Sequence, residues 1–110
     1  MTVMHKELAA GRWAKMPLCE QMANVGSEVD RALNWRSKGN ADHSRNAFER
    51  ALELMDLTIE SASSFARLKE LTRVREAMVD YFMGQNIFGS TDELWRSYFM
   101  YFAYVARKGR

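Results

Sequence analysis

The chain has 110 residues, 47% of them hydrophobic and 27% charged, which is one domain's worth of ordinary globular sequence and excludes a disordered tract. Cys19 is the single cysteine, so no intrachain disulfide framework exists, and with only His5 and His43 to join it no zinc knuckle, metal or cofactor is expected. The formal net charge of +2 names no partner; no apolar run reaches the ~20 residues of a membrane span, and the N-terminus lacks the apolar core of a secretory signal, so a reduced, cytoplasmic setting is expected.

Residues 1–16 are expected to be an N-terminal extension, either loose or with a short helix around Lys6–Ala10, with Trp13 packing on the end of the domain. The fold proper is expected over residues 17–110. Pro17 stands where a helix can begin, because its fixed φ and missing N–H are harmless in a first turn. Leu18, Met22, Val25, Val29 and Ala32 then recur at spacings of four and three, a one-face seam that predicts a helix to about Lys38. Gly39 is suited to the left-handed stop, and Asn40 and Asp42 are both plausible caps for the next helix.

A second helix is predicted over Ala41–Ser61, with Ser44, Phe48, Ala51, Met55 and Ile59 on one face and Ala47, Leu52 and Leu54 widening it. The run Ser61–Ser64 has no periodicity and reads as a turn. A third helix is predicted over Phe65–Met83, with Leu68, Leu71, Val74, Met78, Tyr81 and Phe82 inward. Gly84 ends it, and residues 85–89 form a short loop carrying Ile87 and Phe88. Ser90 followed by Glu93 has the form of a capping box, opening a fourth helix from Thr91 to about Lys108. Strand patterns are absent. Four helices of about 30 Å with short connections predict an all-α, up-down-up-down antiparallel four-helix bundle.

The fourth helix is apolar nearly all round, since Trp95, Tyr98, Phe99, Tyr101, Phe102 and Tyr104 point in many directions. No helix of a four-helix bundle is central, so an outer face of this kind needs a cover. Either the N-terminal segment lies over it or another chain does, and aromatic and Met side chains are enriched at such interfaces. Ile87, Phe88, Trp95, Tyr98, Tyr101 and Phe102 are the candidate interface residues, and a homo-oligomer is expected.

Few residues offer chemistry. No Glu-x-x-His pair, glycine-rich phosphate loop or Ser/Cys–His arrangement occurs, and Cys19 beside the first seam reads as a small buried thiol. Arg75 falls in register with Leu68, Leu71, Met78 and Phe82, so a carboxylate should meet it, from Asp80, Asp56, Asp30 or Glu28. A structural ion pair or a snorkelling side chain accounts for it without function. His43 lies near Arg36 across the first interhelical turn.

The segment Arg75-Glu76-Ala77-Met78-Val79-Asp80-Tyr81-Phe82 resembles the signature of the HEPN superfamily of small helical-bundle proteins, an Arg followed after four to six residues by His and often Tyr-Phe. Asp80 stands where the His belongs. Arg36 and His43 have the right spacing but span a helix break. The resemblance implies a non-catalytic member, such as a partner subunit of a nucleotidyltransferase; a metal-independent ribonuclease would have to use Arg75, Asp80 and His43. Gly39-Asn40, Phe48 and Ala51 also resemble part of a tetratricopeptide repeat, but no second copy occurs. The reading from the residues is therefore a non-enzymatic, self-associating binding module that serves a protein or nucleic-acid-handling partner. Binding of nucleic acid through Arg12, Lys15, Arg107, Lys108 and Arg110 is a third reading.

Overall fold

The computed structural model describes residues 11–109. After a helical turn at residues 11–14 come four helices: α1 (Leu18–Ser37), α2 (Ala41–Glu60), α3 (Phe65–Met83) and α4 (Asp92–Lys108). No strand occurs among the described residues. Pro17 is the residue just before α1 rather than its first member. At the far end Lys38 closes α1 and Gly39 takes φ +78°, the left-handed value that a Cβ disfavours. Asn40 is the cap of α2, its side chain accepting the His43 backbone N–H at 3.0 Å, and Ser64 does the same for α3 with Arg67.

Neighbouring helices run in opposite directions, as pairs of contacts along each show. Between α1 and α2, Ser44 donates to the Ala32 carbonyl at 2.8 Å near one end, and Gln21 donates to Ser61 at 3.2 Å near the other. Between α2 and α3, Asp56 meets Arg75 while Phe48 stacks on Phe82. Between α1 and α4, Arg96 bonds Asp30 and Asn34, and further along Ala23 and Ala103 share one groove. The expected antiparallel four-helix bundle is the architecture observed, with α1 packed against both α2 and α4 and α3 against α2.

The seam between α3 and α4 is the open one: their backbones do not approach closely, and side chains span the gap. The hydroxyl of Tyr81 donates to Asp92 across it. The core consists of Met22, Val25, Val29 and Leu33 of α1, Phe48, Ala51 and Met55 of α2, Leu71 and Met78 of α3, and Trp95 and Phe99 of α4.

Two expectations are corrected. Leu68, placed inward by periodicity, is exposed, as is Phe65, because the first turns of α3 flank the open seam. Thr91, not Ser90, caps α4; its hydroxyl accepts the Leu94 N–H at 3.1 Å, while the Ser90 N–H is held by Asn86. Thr58 is fully buried, its hydroxyl donating to the Leu54 carbonyl and accepting the Trp13 indole N–H at 2.9 Å. Gln21 in turn donates to the Trp13 carbonyl at 2.7 Å. Trp13 thus docks on the end of the bundle.

The α1–α4 contact depends on Gly26. A Cβ there would lie 2.5 Å from the Cβ of Phe99, with helix backbone behind both atoms. Alanine normally favours a helix over glycine by about 1 kcal/mol, but overpacking of this kind costs about 1–3 kcal/mol. Gly26→Ala is therefore expected to destabilise the protein, by up to about 2 kcal/mol net, read as a lower denaturant midpoint at unchanged m-value.

Candidate functional site

The segment between α3 and α4 is built tightly. α3 stops at Met83, and Asn86 and Gly89 take positive φ (54° and 67°) to turn the chain back. Asp80 on the last turns of α3 then reaches over the loop: Oδ1 accepts the Ile87 N–H at 2.8 Å and Oδ2 accepts the Phe88 N–H at 3.1 Å. Its own carbonyl accepts the Asn86 N–H at 3.1 Å. From the other side Asn86 brackets Ser90, accepting its N–H at 2.8 Å and donating to its carbonyl at 3.0 Å. The backbone is held at both ends, yet Ile87 is 79% and Phe88 65% exposed. A short loop held by hydrogen bonds at Asn86, Ile87, Phe88 and Ser90 thus presents two large apolar side chains to water.

On α4 the rings divide by face. Trp95 and Phe99 are buried against α1 and the core, Tyr98 and Phe102 are half-buried along the open seam, and Tyr101 is exposed. Trp95, expected at the interface, is therefore a core residue, 3% exposed and packed with Phe99 against α1. Its indole N–H has no hydrogen-bond partner among the described residues, at a cost of about 1–3 kcal/mol. Leu94, Met100 and Tyr104 are exposed and belong with Tyr101. Spacings of seven and three put Leu94, Tyr101 and Tyr104 on one face, a signal that lay in the sequence behind the more conspicuous rings.

Both phenols along the seam are held neutral. Burial pushes Tyr98 up to about 12, with the Glu70 carboxylate adding to the effect. Tyr81 is raised by desolvation, then by its hydrogen bond to Asp92 and that carboxylate's charge. Neither hydroxyl can serve as a base near neutral pH.

The residues weighed for catalysis are not brought together. Arg75 meets Asp56, with Nε 2.7 Å from Oδ1, one of the carboxylates expected for it; the pair is over a third exposed on both sides. Asp80 is committed to the loop backbone. His43 is exposed at the start of α2, Nδ1 3.0 Å from Asn40 Oδ1 and its ring 4.5 Å from that of Trp35. It precedes Asp56 by thirteen residues, about 20 Å along the α2 axis.

Arg12, Lys15, Arg107 and Lys108 are exposed and gather at one end of the bundle, because antiparallel packing sets the start of α1 beside the end of α4. Arg110 lies outside the described residues, as do residues 1–10. Cys19 is a half-buried free thiol. Among the described residues no group of three His, Cys, Asp or Glu could hold a metal, and no helix is long and apolar enough to cross a membrane. Compared with protein-family models, curated proteins and solved structures, the chain shows no significant match.

Two substitutions separate structure from chemistry here. Arg75→Ala is expected to lower stability by less than about 1 kcal/mol, as for an exposed ion pair, and end-labelled single-stranded RNA should remain intact with metal-free parent and variant alike. Cleavage by the parent alone would assign Arg75 to a ribonuclease site. Asp80→Ala is expected to cost about 1 kcal/mol and to speed amide hydrogen exchange at Ile87 and Phe88 while leaving α1 and α2 protected; unchanged exchange at both amides would deny the carboxylate its latching role.

Proposed function

We propose that this chain is a non-enzymatic assembly module that associates with a second copy of itself through the Ile87–Phe88 loop and the outer face of α4. The observation that carries the reading is the loop held by Asp80 and Asn86, which keeps two apolar side chains out in water on a backbone with little freedom left to lose. Ordering a flexible loop on binding costs about 0.5–1.5 kcal/mol per rotamer-rich side chain, and a preformed loop avoids much of that. Leu94, Met100, Tyr101 and Tyr104 add large exposed side chains of the kinds enriched at interfaces. Self-pairing by a two-fold axis is the commonest way for a small soluble chain to cover such a surface.

The resemblance to HEPN bundles supplies the alternative occupant, a nucleotidyltransferase or another nucleic-acid-handling protein, on the same surface. A nucleic-acid reading draws on a different observation, the four cations gathered at one end, and its signature is an affinity that falls steeply with salt.

Light scattering on the eluting protein tests self-association. The parent is expected to elute at a multiple of 12.8 kDa. Phe88→Ser and Tyr101→Ser should each weaken assembly by roughly thirtyfold or more, as for an aromatic anchor worth about 2 kcal/mol, without loss of helix content. A monomeric parent, or variants that elute and melt like it, removes the basis for the self-pairing surface.

A further inference from the structure

A recess of about 320 Å³ opens where the last turn of α1, the first turns of α2 and the last turn of α3 meet. Arg36, Ser44, Arg45, Phe48, Phe82 and Met83 line it, and no carboxylate is among its lining residues. Phe48 and Phe82 stack beneath it, with centroids 4.5 Å apart and planes 22° from parallel; Phe48 is buried, so half-buried Phe82 is the ring that borders the recess. The Arg36 guanidinium carbon sits 5.1 Å from the Tyr81 ring centroid and 5.7 Å from that of Phe82. Stacking of this kind fixes the plane of a guanidinium and leaves its edge N–H groups to donate outward. Arg45 is exposed, and neither arginine forms an ion pair among the described residues.

Ala41, the first residue of α2, also lines the recess, so the positive end of that helix faces it and favours the same sign. Three carboxylates stand around it and offset part of that charge: Asp42 and Glu49, three residues before and four after Arg45 on α2, and Asp92, which accepts the Tyr81 hydroxyl. The Ser44 hydroxyl is spent on the Ala32 carbonyl, which leaves the two guanidinium groups as the available donors. The volume is at the small end of ligand pockets, on the order of ten waters' worth of liquid.

We propose that this recess binds a small organic anion, a planar apolar ring bearing a phosphate or carboxylate, with the ring against Phe82 and Met83 and the oxyanion held between Arg36 and Arg45. Two unpaired guanidinium groups beside the Phe82 ring complement that combination, since charge-assisted bonds to an oxyanion are strong and directional while a neutral ring alone would leave both cations unanswered. The site is independent of the assembly surface on α4.

Titration of isotope-labelled protein by NMR, with phenyl phosphate and benzoate as probes, tests it. One or both should shift the amides of Arg45, Phe48 and Met83 saturably, and the tighter of the two identifies the oxyanion. Benzyl alcohol and inorganic phosphate should bind at least about tenfold more weakly, and Arg45→Gln should weaken the tighter probe by about tenfold with the spectrum otherwise unchanged, because the exposed Arg45 side chain makes no hydrogen bond or ion pair among the described residues. Phe88→Ser should leave binding as it is. Shifts that do not saturate, or affinity untouched by Arg45→Gln, would overturn the site; inorganic phosphate binding as tightly as phenyl phosphate would overturn the part assigned to the ring.

Discussion

The close approach of α1 and α4 at Gly26 governs the rest of the arrangement. With no side chain at that position, α4 settles against α1 until Phe99 touches helix backbone, and Trp95 and Phe99 are drawn into the core. A helix that is apolar all round cannot bury all of itself by this one contact. Its opposite face remains in water, and its flank toward α3 is only partly closed, by Tyr81, Tyr98 and Phe102. The surface proposed for assembly is thus the remainder left when the close packing of α4 on α1 is satisfied.

Asp80 belongs to the loop as much as to its helix: its carboxylate closes the α3–α4 loop by accepting two backbone N–H groups. Arg75, five residues earlier on the same helix, turns to Asp56 on α2. A helix rotates by about 100° per residue, so five residues carry a side chain well round the axis from its predecessor. The two groups therefore serve different neighbours, and each has a structural account.

Much of the fold was legible in local signals. Gly39 and Asn40 mark the α1–α2 turn through φ and capping chemistry that belong to those residues themselves, and the seam from Met22 to Ala32 is buried as its spacing requires. Arg75 could be assigned a carboxylate partner in advance because an unpaired guanidinium beside a core is costly. Other features were beyond such reading. Ser90 and Thr91 are both capping residues, and only the bracket formed by Asn86 decides between them. Periodicity places Leu68 inward because it reports which face a residue is on, not whether a neighbouring helix reaches that far along. The Arg36–Arg45 recess draws on three helices, and no single stretch of sequence contains it.

The connectivity has a kinetic consequence. α1 with α2 and α2 with α3 are pairings between consecutive helices, formed by closing short turns, whereas the close packing of α4 on α1 joins segments as far apart as Arg96 and Asp30, 66 residues along the chain. Loop-closure entropy therefore falls almost wholly on this one contact. The first three helices can assemble through local encounters, with α4 docking last, and in the native state release of α4 breaks a single helix pairing, as release of α3 does. Each opening of α4 uncovers Trp95 and Phe99 together with the rings already in water, so a form that differs from the native one by a single undocked helix shows more apolar surface than the folded protein does.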